Sequence, residues 1–598
     1  MRTRAATWAL GLQLTLSALA ARADDGPAPA WLRERLDRGL VAVPRGDGSA
    51  LLSWRLRADD PAGLAFGVER AEPGGDFRRV AEVPPTGASC WVDPDARPGM
   101  RYRLVAGDEI SAPVTLGDSP YLTIPLRDPL DRVASDGAAG DLDGDGSYEL
   151  VVKRERRPRD NSQRGATGAT TLEAYRLDGR FLWRIDLGPN VREGAHYTPF
   201  LVYDLDGDGR AEVACRTADG TVDGTGVTLG DASADHRNAD GYVLAGPESL
   251  TVFEGSTGRA LANAAYVPPR GRVADWGDDY GNRVDRFLAC VAYLDGAHPS
   301  LVVCRGYYTR AVLAARDWRG GTLSRRWTFD SDDGTPGNAA HRGQGNHNLA
   351  VGDVDGDGKD EILYGACAID DDGKGLYATG LGHGDAIHLG DLDPARPGLE
   401  VFAIHERPRH GFAAELHDAA TGRVLWGKPA RDAGRGLAAD IDPRHEGAEC
   451  WAAGVAGLFN ARGEKIADRP PRSCNFAVHW DGDPLRELLD RNRVSKWDYR
   501  NYAEVTLFQA EGCVASNGTK ATPVLAADLL GDWREEIVWR TADGRALRVY
   551  STPIPTAIRR PTLMHDRTYR VGVAWQNVGY NLPPTPGPGA LPPPRSAE

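Results

Sequence analysis

The sequence predicts an all-β protein: an eight-bladed β-propeller preceded by a small fibronectin-like β-sandwich. Three observations carry that expectation. The acidic phrase Asp141-Leu-Asp143-Gly-Asp145-Gly…Glu149 returns as Asp204-Leu-Asp206-Gly-Asp208-Gly…Glu212 and as Asp353-Val-Asp355-Gly-Asp357-Gly…Glu361. Each copy leads into an apolar run (Leu150-Val-Val152, Val213-Ala-Cys215, Ile362-Leu-Tyr364) that reads as a buried strand. Weaker copies begin at Asp295, Asp391, Asp440, Asp481 and Asp528, giving eight units spaced by about 55 residues, the length of a four-stranded blade with its loops. A β-solenoid is the alternative, but its short Gly-Gly-x-Gly-x-Asp repeat is missing from this chain.

Carboxylates at alternate positions, separated by glycines that let the backbone turn sharply, surround a hard cation with oxygen, as calcium prefers. The closing Glu falls eight residues after the first Asp, where an EF-hand loop places it about eleven residues on. The expected calcium ligands are Asp141, Asp143, Asp145, Glu149, Asp204, Asp206, Asp208, Glu212, Asp353, Asp355, Asp357 and Glu361. The degenerate copies add Asp391, Asp393, Glu400, Asp440, Asp442, Glu449, Asp528 and Glu536. Two histidines, His347 and His383, flank acid-rich stretches that include Asp370, Asp371, Asp372 and Asp385. A nitrogen among these oxygens would make a mixed site, so all six join the candidate metal ligands.

The elements follow in order. Met1 to Ala23, with Arg2 and Arg4 at its start, an apolar stretch and Ala21-Arg22-Ala23, reads as an export signal. No other stretch is long and apolar enough to span a bilayer, so the expectation is a secreted, monomeric protein, periplasmic or extracellular. Residues 24–35 are a short polar lead-in. Residues 36–118 hold short strands such as Leu51-Leu-Ser-Trp-Arg-Leu56 and Arg101-Tyr-Arg-Leu-Val105, with Trp54 and Tyr102 as core aromatics of the sandwich. The propeller spans 121–581, with long insertions at 217–250 and 264–290, and 582–598 is a Pro-rich tail expected to be disordered. A net charge of −14 argues against a nucleic-acid partner. Eight scattered cysteines make no disulfide scaffold.

Several Gly-hinged segments are dense in polar and aromatic residues and read as loops converging at one end of the blades. Among them, Arg216-Thr-Ala-Asp-Gly-Thr-Val-Asp-Gly224, Gly281-Asn-Arg-Val-Asp-Arg-Phe-Leu-Ala289, Arg305-Gly-Tyr-Tyr-Thr-Arg310 and Thr379-Gly-Leu-Gly-His383-Gly-Asp385 resemble rhamnogalacturonan lyases of polysaccharide lyase family 11. So do Arg435-Gly-Leu-Ala-Ala-Asp440-Ile-Asp-Pro443, Asn517-Gly-Thr-Lys520 and Asp532-Trp-Arg-Glu-Glu-Ile537. The likeness runs from about residue 36 to 581. It implies an eight-bladed propeller, several calcium ions, and β-elimination of a pectic polysaccharide, the alternating rhamnose–galacturonate backbone of rhamnogalacturonan I. Arg216 departs from the family's usual lysine.

Such an elimination removes the proton at C5 of galacturonate, beside its carboxylate, and expels the oxygen at C4. The site must neutralise the carboxylate with calcium or arginine and place a base on the face bearing the proton. The resemblance makes Lys520 and Arg435 the catalytic candidates, with the roles of base and carboxylate partner open between them. Asn161, Asn517, Gly518 and Thr519 are candidates to position sugar. Without the resemblance, a calcium-clipped propeller fits adhesion or carbohydrate binding equally well. A glycoside hydrolase ranks third, because the acids are committed to loops.

Overall fold

Short runs of β-branched and aromatic residues, cut by Gly- and Asp-rich turns, build short strands and little else. The structure is a computed structural model describing residues 31–128, 131–408, 411–516 and 521–589. Among them, helix is confined to Arg567–Trp575 and three single-turn 3-10 segments. The export signal therefore lies outside the described residues, as do Asn517, Gly518, Thr519 and Lys520.

Two antiparallel sheets form the N-terminal unit. One pairs Val41–Pro44, Ala50–Ser53 and Cys90–Asp93; the other is built on Phe66–Ala71, Arg78–Val83 and Arg101–Ala106. Leu52, Trp54, Phe66, Val68, Tyr102 and Leu104 share one core between them. The buried Tyr102 hydroxyl donates to Asp93 at 2.8 Å, which satisfies a polar atom that burial would otherwise leave unpaired. Arg55 leaves the unit and donates to the Leu529 carbonyl at 2.6 Å, tying it to the last sheet of the chain.

From Tyr121 onward the chain makes eight successive antiparallel sheets. Their first strands are Val133–Gly140, Phe200–Tyr203, Phe287–Ala292, Ala350–Gly352, Gly384–Gly390, Gly436–Ala439, Phe476–Val478 and Leu525–Ala527. Every acidic phrase found in the sequence is the connection from a first strand to a second. The first strands of sheets one to six neighbour one another in order, and that of sheet one also meets Leu525–Ala527. The outer strand of the eighth sheet is Tyr121–Pro125, paired antiparallel with Ala546–Tyr550, so the two ends of this region share one sheet.

The segments between and beyond these sheets serve as fasteners. The hairpin Thr221–Val222/Thr228–Leu229 from the 217–250 insertion extends the edge of sheet one. Helix Arg567–Trp575, capped by Asp566 accepting from the Tyr569 amide at 2.8 Å, lies against the first strands of sheets one to four. The polar lead-in turns out to be an anchor: the Glu34 side chain, 8% exposed, pairs with Arg570 of that helix at 2.7 Å and accepts from Tyr148. The tail boundary set at Asn581 is also too early. Leu582, Pro583 and Pro584 are buried, and the Pro584 carbonyl accepts from Arg486 at 3.1 Å. Apolar proline rings sealing a groove do not require regular structure, which is why composition alone suggested disorder. All eight cysteines are free thiols.

Candidate active site and acidic loops

The first strands of sheets two to six carry two kinds of chemistry, one at each end. His196, Arg286, His347, His383 and Arg435 precede the first strands of sheets two to six, whereas the acidic phrases follow those strands. A first strand of four residues spans about 13 Å, which separates a histidine–arginine face from a carboxylate face.

On the first face, side chains from distant segments meet. The His347 ring is buried, with Tyr307 Oη 3.0 Å from Nδ1 and Tyr308 Oη 3.0 Å from Nε2. Its other neighbours are Asp385 at 3.4 Å, the Tyr580 ring stacked at 4.4 Å, and the rings of His196 and His383, each at 4.9 Å. His383 Nδ1 lies 2.6 Å from the Gly345 carbonyl, which fixes the proton on that nitrogen. Its Nε2 is left a buried lone pair with no hydrogen-bond partner among the described residues. Burial holds this imidazole neutral, with its pKa down to about 4. Burial also lifts the Asp385 carboxyl to about 7, with Glu406 adding to the rise and Arg435 opposing it. The ligand atoms of His347, His383 and Asp385 fall within 4.8 Å of one another. A neutral imidazole with an aimed lone pair beside a carboxylate kept from ionising is a donor set that a divalent cation fits.

Arg435 reaches the same place, its guanidinium 4.1 Å over the Tyr580 ring. Asn161 is fully buried; its amide nitrogen donates to the Asp285 carbonyl at 2.6 Å and its oxygen has no partner among the described residues. Its neighbour Asp160 faces Arg286 at 3.5 Å. Tyr580 and Arg286 were missed by the sequence reading. Tyr580 sits in an unremarked Gly-Tyr-Asn stretch near the chain end, and only the fold carries it beside His347. Tyr307 is buried with its hydroxyl committed to His347. The departing Arg216 is buried too, paired with Glu248 at 3.0 Å.

The opposite face repeats one hydrogen-bond pattern. Asp141 Oδ1 accepts from Gly144 at 2.7 Å and its Oδ2 from Gly146 at 2.9 Å, while Glu149 accepts from Leu142 at 2.9 Å. Both glycines have positive φ, 82° and 89°, which folds the loop back over its own carboxylates. Asp204 with Glu212, and Asp353 with Glu361, repeat these contacts at the same offsets. Glu400, Glu449 and Glu536 each accept from two amides of their own loops. The oxygens left over converge: Asp141, Asp143 and Glu149 form one group, Asp204, Asp206 and Glu212 another, Asp353, Asp355 and Asp357 a third, and Asp355, Glu361 and Asp370 a fourth. Burial raises Glu149 to about 7, Glu212 to about 8 and Glu361 to about 9, with neighbouring carboxylates adding to the rise. Crowded, partly buried carboxylates of this kind form an oxygen donor set that a hard cation such as calcium suits.

Not every predicted ligand stands alone. Asp145 pairs with Arg176, Asp371 with Lys359 at 3.2 Å, Asp372 with Lys374 at 2.5 Å, and Asp442 with Arg444 at 2.6 Å. Asp208 accepts from the Arg210 amide at 2.8 Å, and Asp393 lies 3.8 Å from Arg462. Asp391 and Asp440 each keep an unpartnered buried oxygen. Asp528 is held by Thr562 and the Leu563 amide, both at 2.7 Å. In the seventh loop Lys496 Nζ sits among Asp481, Asp483 and Glu487 at 2.5, 2.6 and 3.0 Å.

Comparison with known proteins places this geometry. The family model for rhamnogalacturonan lyase family 11, C-terminal domain, matches residues 121–588, and that for the rhamnogalacturonan I lyase β-sheet domain matches 32–111. The chain belongs to rhamnogalacturonan lyase family 11. It is 54% identical to the rhamnogalacturonan endolyase YesW of Bacillus subtilis, across 92% of this chain and 90% of that one. It is 50% identical to the exolyase YesX of the same organism, across 94% and 97%. A solved family 11 rhamnogalacturonan lyase of Bacillus licheniformis superposes with a TM-score of 0.90 at 52% identity, across 96% of this chain and 99% of that one. This family 11 lyase therefore shares its all-β fold with those enzymes along nearly its whole length. Among its described residues no helix is long and apolar enough to cross a membrane.

Proposed function

We propose that the protein is a secreted, monomeric, calcium-dependent lyase that cleaves the rhamnose–galacturonate backbone of rhamnogalacturonan I by β-elimination. The observation that carries the reading is the meeting of His347, His383, Asp385, Arg435 and Tyr580 at one end of the first strands, on a chain of this family. The eight sheets are read as blades of a propeller closed by Tyr121–Pro125, and the two N-terminal sheets as a fibronectin-like sandwich packed on the last blade.

In this reading His347, His383 and Asp385 hold one calcium ion, which would supply positive charge to the galacturonate carboxylate. The carboxylate phrases hold structural calcium at the other end of the strands. Arg435, steadied on the Tyr580 face, presents a planar pair of donors to a sugar carboxylate. Lys520 is the candidate base at C5, a role that a neighbouring arginine and cation assist by favouring its neutral form. Asn161, fully buried with its amide on the Asp285 carbonyl, steadies the loop beside Arg286 and does not itself touch sugar, and Asn517, Gly518 and Thr519 supply the sugar contacts. Interior cleavage is the favoured mode, because the 468–473 connection is short and carries no insertion that would cap the site.

The test is direct. Rhamnogalacturonan I with calcium should yield the ultraviolet absorbance of unsaturated galacturonate ends, and Lys520→Ala should abolish it with melting temperature and metal content kept. Reducing ends without that absorbance would mean hydrolysis; binding without either would mean an adhesion module.

A further inference from the structure

Beside the reacting centre lies an open cleft of about 660 Å³ whose walls include Tyr308 and His383, so the two spaces are continuous. Arg283, Arg342 and Arg407 line it against a single carboxylate, Glu406. That excess of positive charge stands out on a chain whose net charge is −14. The three guanidiniums come from loops of three different sheets, so no local repeat of sequence brings them together.

None of the three is fully used inside the protein. Arg283 lies over the Tyr308 ring at 5.0 Å, and its approach to Asp278, at 3.9 Å, is beyond hydrogen-bond length. Arg407 is 82% exposed and only 3.8 Å from Glu406, which itself leans toward His383. Arg342 pairs with Asp332 and keeps 45% of its side chain in solvent. Gly343, Gly380 and Gly382 also line the cleft, and a Cβ added at Gly380 would meet nothing within 4 Å. The cleft thus offers a flat, open floor between cationic walls.

We infer that this cleft is a second uronate subsite: Arg283 and Arg342 bind the carboxylate of a galacturonate one disaccharide repeat away from the bond that breaks, with Arg407 at its outer rim. The inference rests on the substrate reading given above. A polymer that bears one carboxylate per repeat presents its next negative charge two sugar rings along, and a planar guanidinium matches a carboxylate with two parallel bonds. A cationic cleft leading into the centre also draws a polyanion to it.

The experiment compares wild type with Arg283→Ala, Arg342→Ala, Arg342→Lys and Arg407→Ala. Substrates are the polymer and rhamnogalacturonan oligosaccharides of increasing length, followed by unsaturated-uronate absorbance. Arg342→Ala and Arg283→Ala should each raise KM on the polymer about tenfold with kcat nearly kept, the loss expected of one charge-assisted pair. Arg342→Lys should recover part of that loss, and Arg407→Ala should lose less than either. On the shortest cleaved oligosaccharide the variants should match wild type, so the gain from chain length flattens. Equal kinetics at every length, or a fall in kcat with KM unchanged, would overturn the subsite. Wild type that forms no unsaturated ends from the polymer would instead overturn the substrate reading, and the subsite with it.

Discussion

Arg435 carries its charge on a flat aromatic face, 4.1 Å over Tyr580, and that packing separates what the charge does from what the shape does. Arg435→Ala should lower kcat on rhamnogalacturonan I by about two to three orders of magnitude, the usual effect of removing one donor aimed at developing charge. Arg435→Lys keeps the charge but loses the plane and the paired donors, so it should recover only part of that rate. Full activity in the lysine variant would reduce Arg435 to a point charge; both variants should melt like wild type. At this scale the sequence was legible unevenly. His347 and His383 could be found because acidic stretches flank them, Asn161 because it sits in a polar loop segment, and Arg435 because it opens a family-like phrase. Tyr580 could not: nothing in its local sequence separates it from other aromatic residues, and only the fold stacks it on His347. Arg286 lies in a family-like phrase, but nothing there singles it out from Arg283, and its place over Tyr308 shows only once sheet three is folded.

The acidic loops were the most legible elements, because a cation-binding turn needs its carboxylates and glycines at fixed offsets. Every start identified in the sequence falls at the end of a first strand, including the weakest. Spacing could not reveal which groups outside its own phrase each loop enlists. The third borrows Asp360 of the following loop, whose carboxylate accepts from the Tyr293 amide at 2.8 Å. The seventh is filled by Lys496, an ammonium 13 to 15 residues from its nearest partners Asp481 and Asp483 along the chain and so invisible to a motif. Burial opposes charge on that lysine, but the three carboxylates outweigh it and raise its pKa. Lys496→Met should therefore leave three uncompensated carboxylates and open the loop to metal. Elemental analysis after dialysis should find one more calcium per chain than in wild type, with a melting temperature more dependent on calcium. An unchanged metal content would mean that the seventh loop cannot hold an ion even when its lysine is gone.

Across the whole molecule these loops set how folding responds to pH. Without calcium, burial lifts Asp141 and Asp204 to about 6, Glu149 to about 7, and Glu212 and Asp440 to about 8, against ordinary values of 3.8 for Asp and 4.5 for Glu. The folded chain then binds more protons than the unfolded one between those limits, so the slope of unfolding free energy against pH is negative. Chelated protein should accordingly lose stability as pH rises from about 5 to about 8, the window set by these groups. If calcium binds these loops as proposed, it favours the ionised carboxylates of the folded state and should reverse that trend by mass action. The gap in melting temperature between calcium-loaded and chelated protein should widen steadily over that range, and scanning calorimetry at several pH values measures it. A chelated protein whose melting temperature stays level or climbs from pH 5 to 8 would mean that these carboxylates are neutralised from within, each loop by side chains as the seventh is by Lys496.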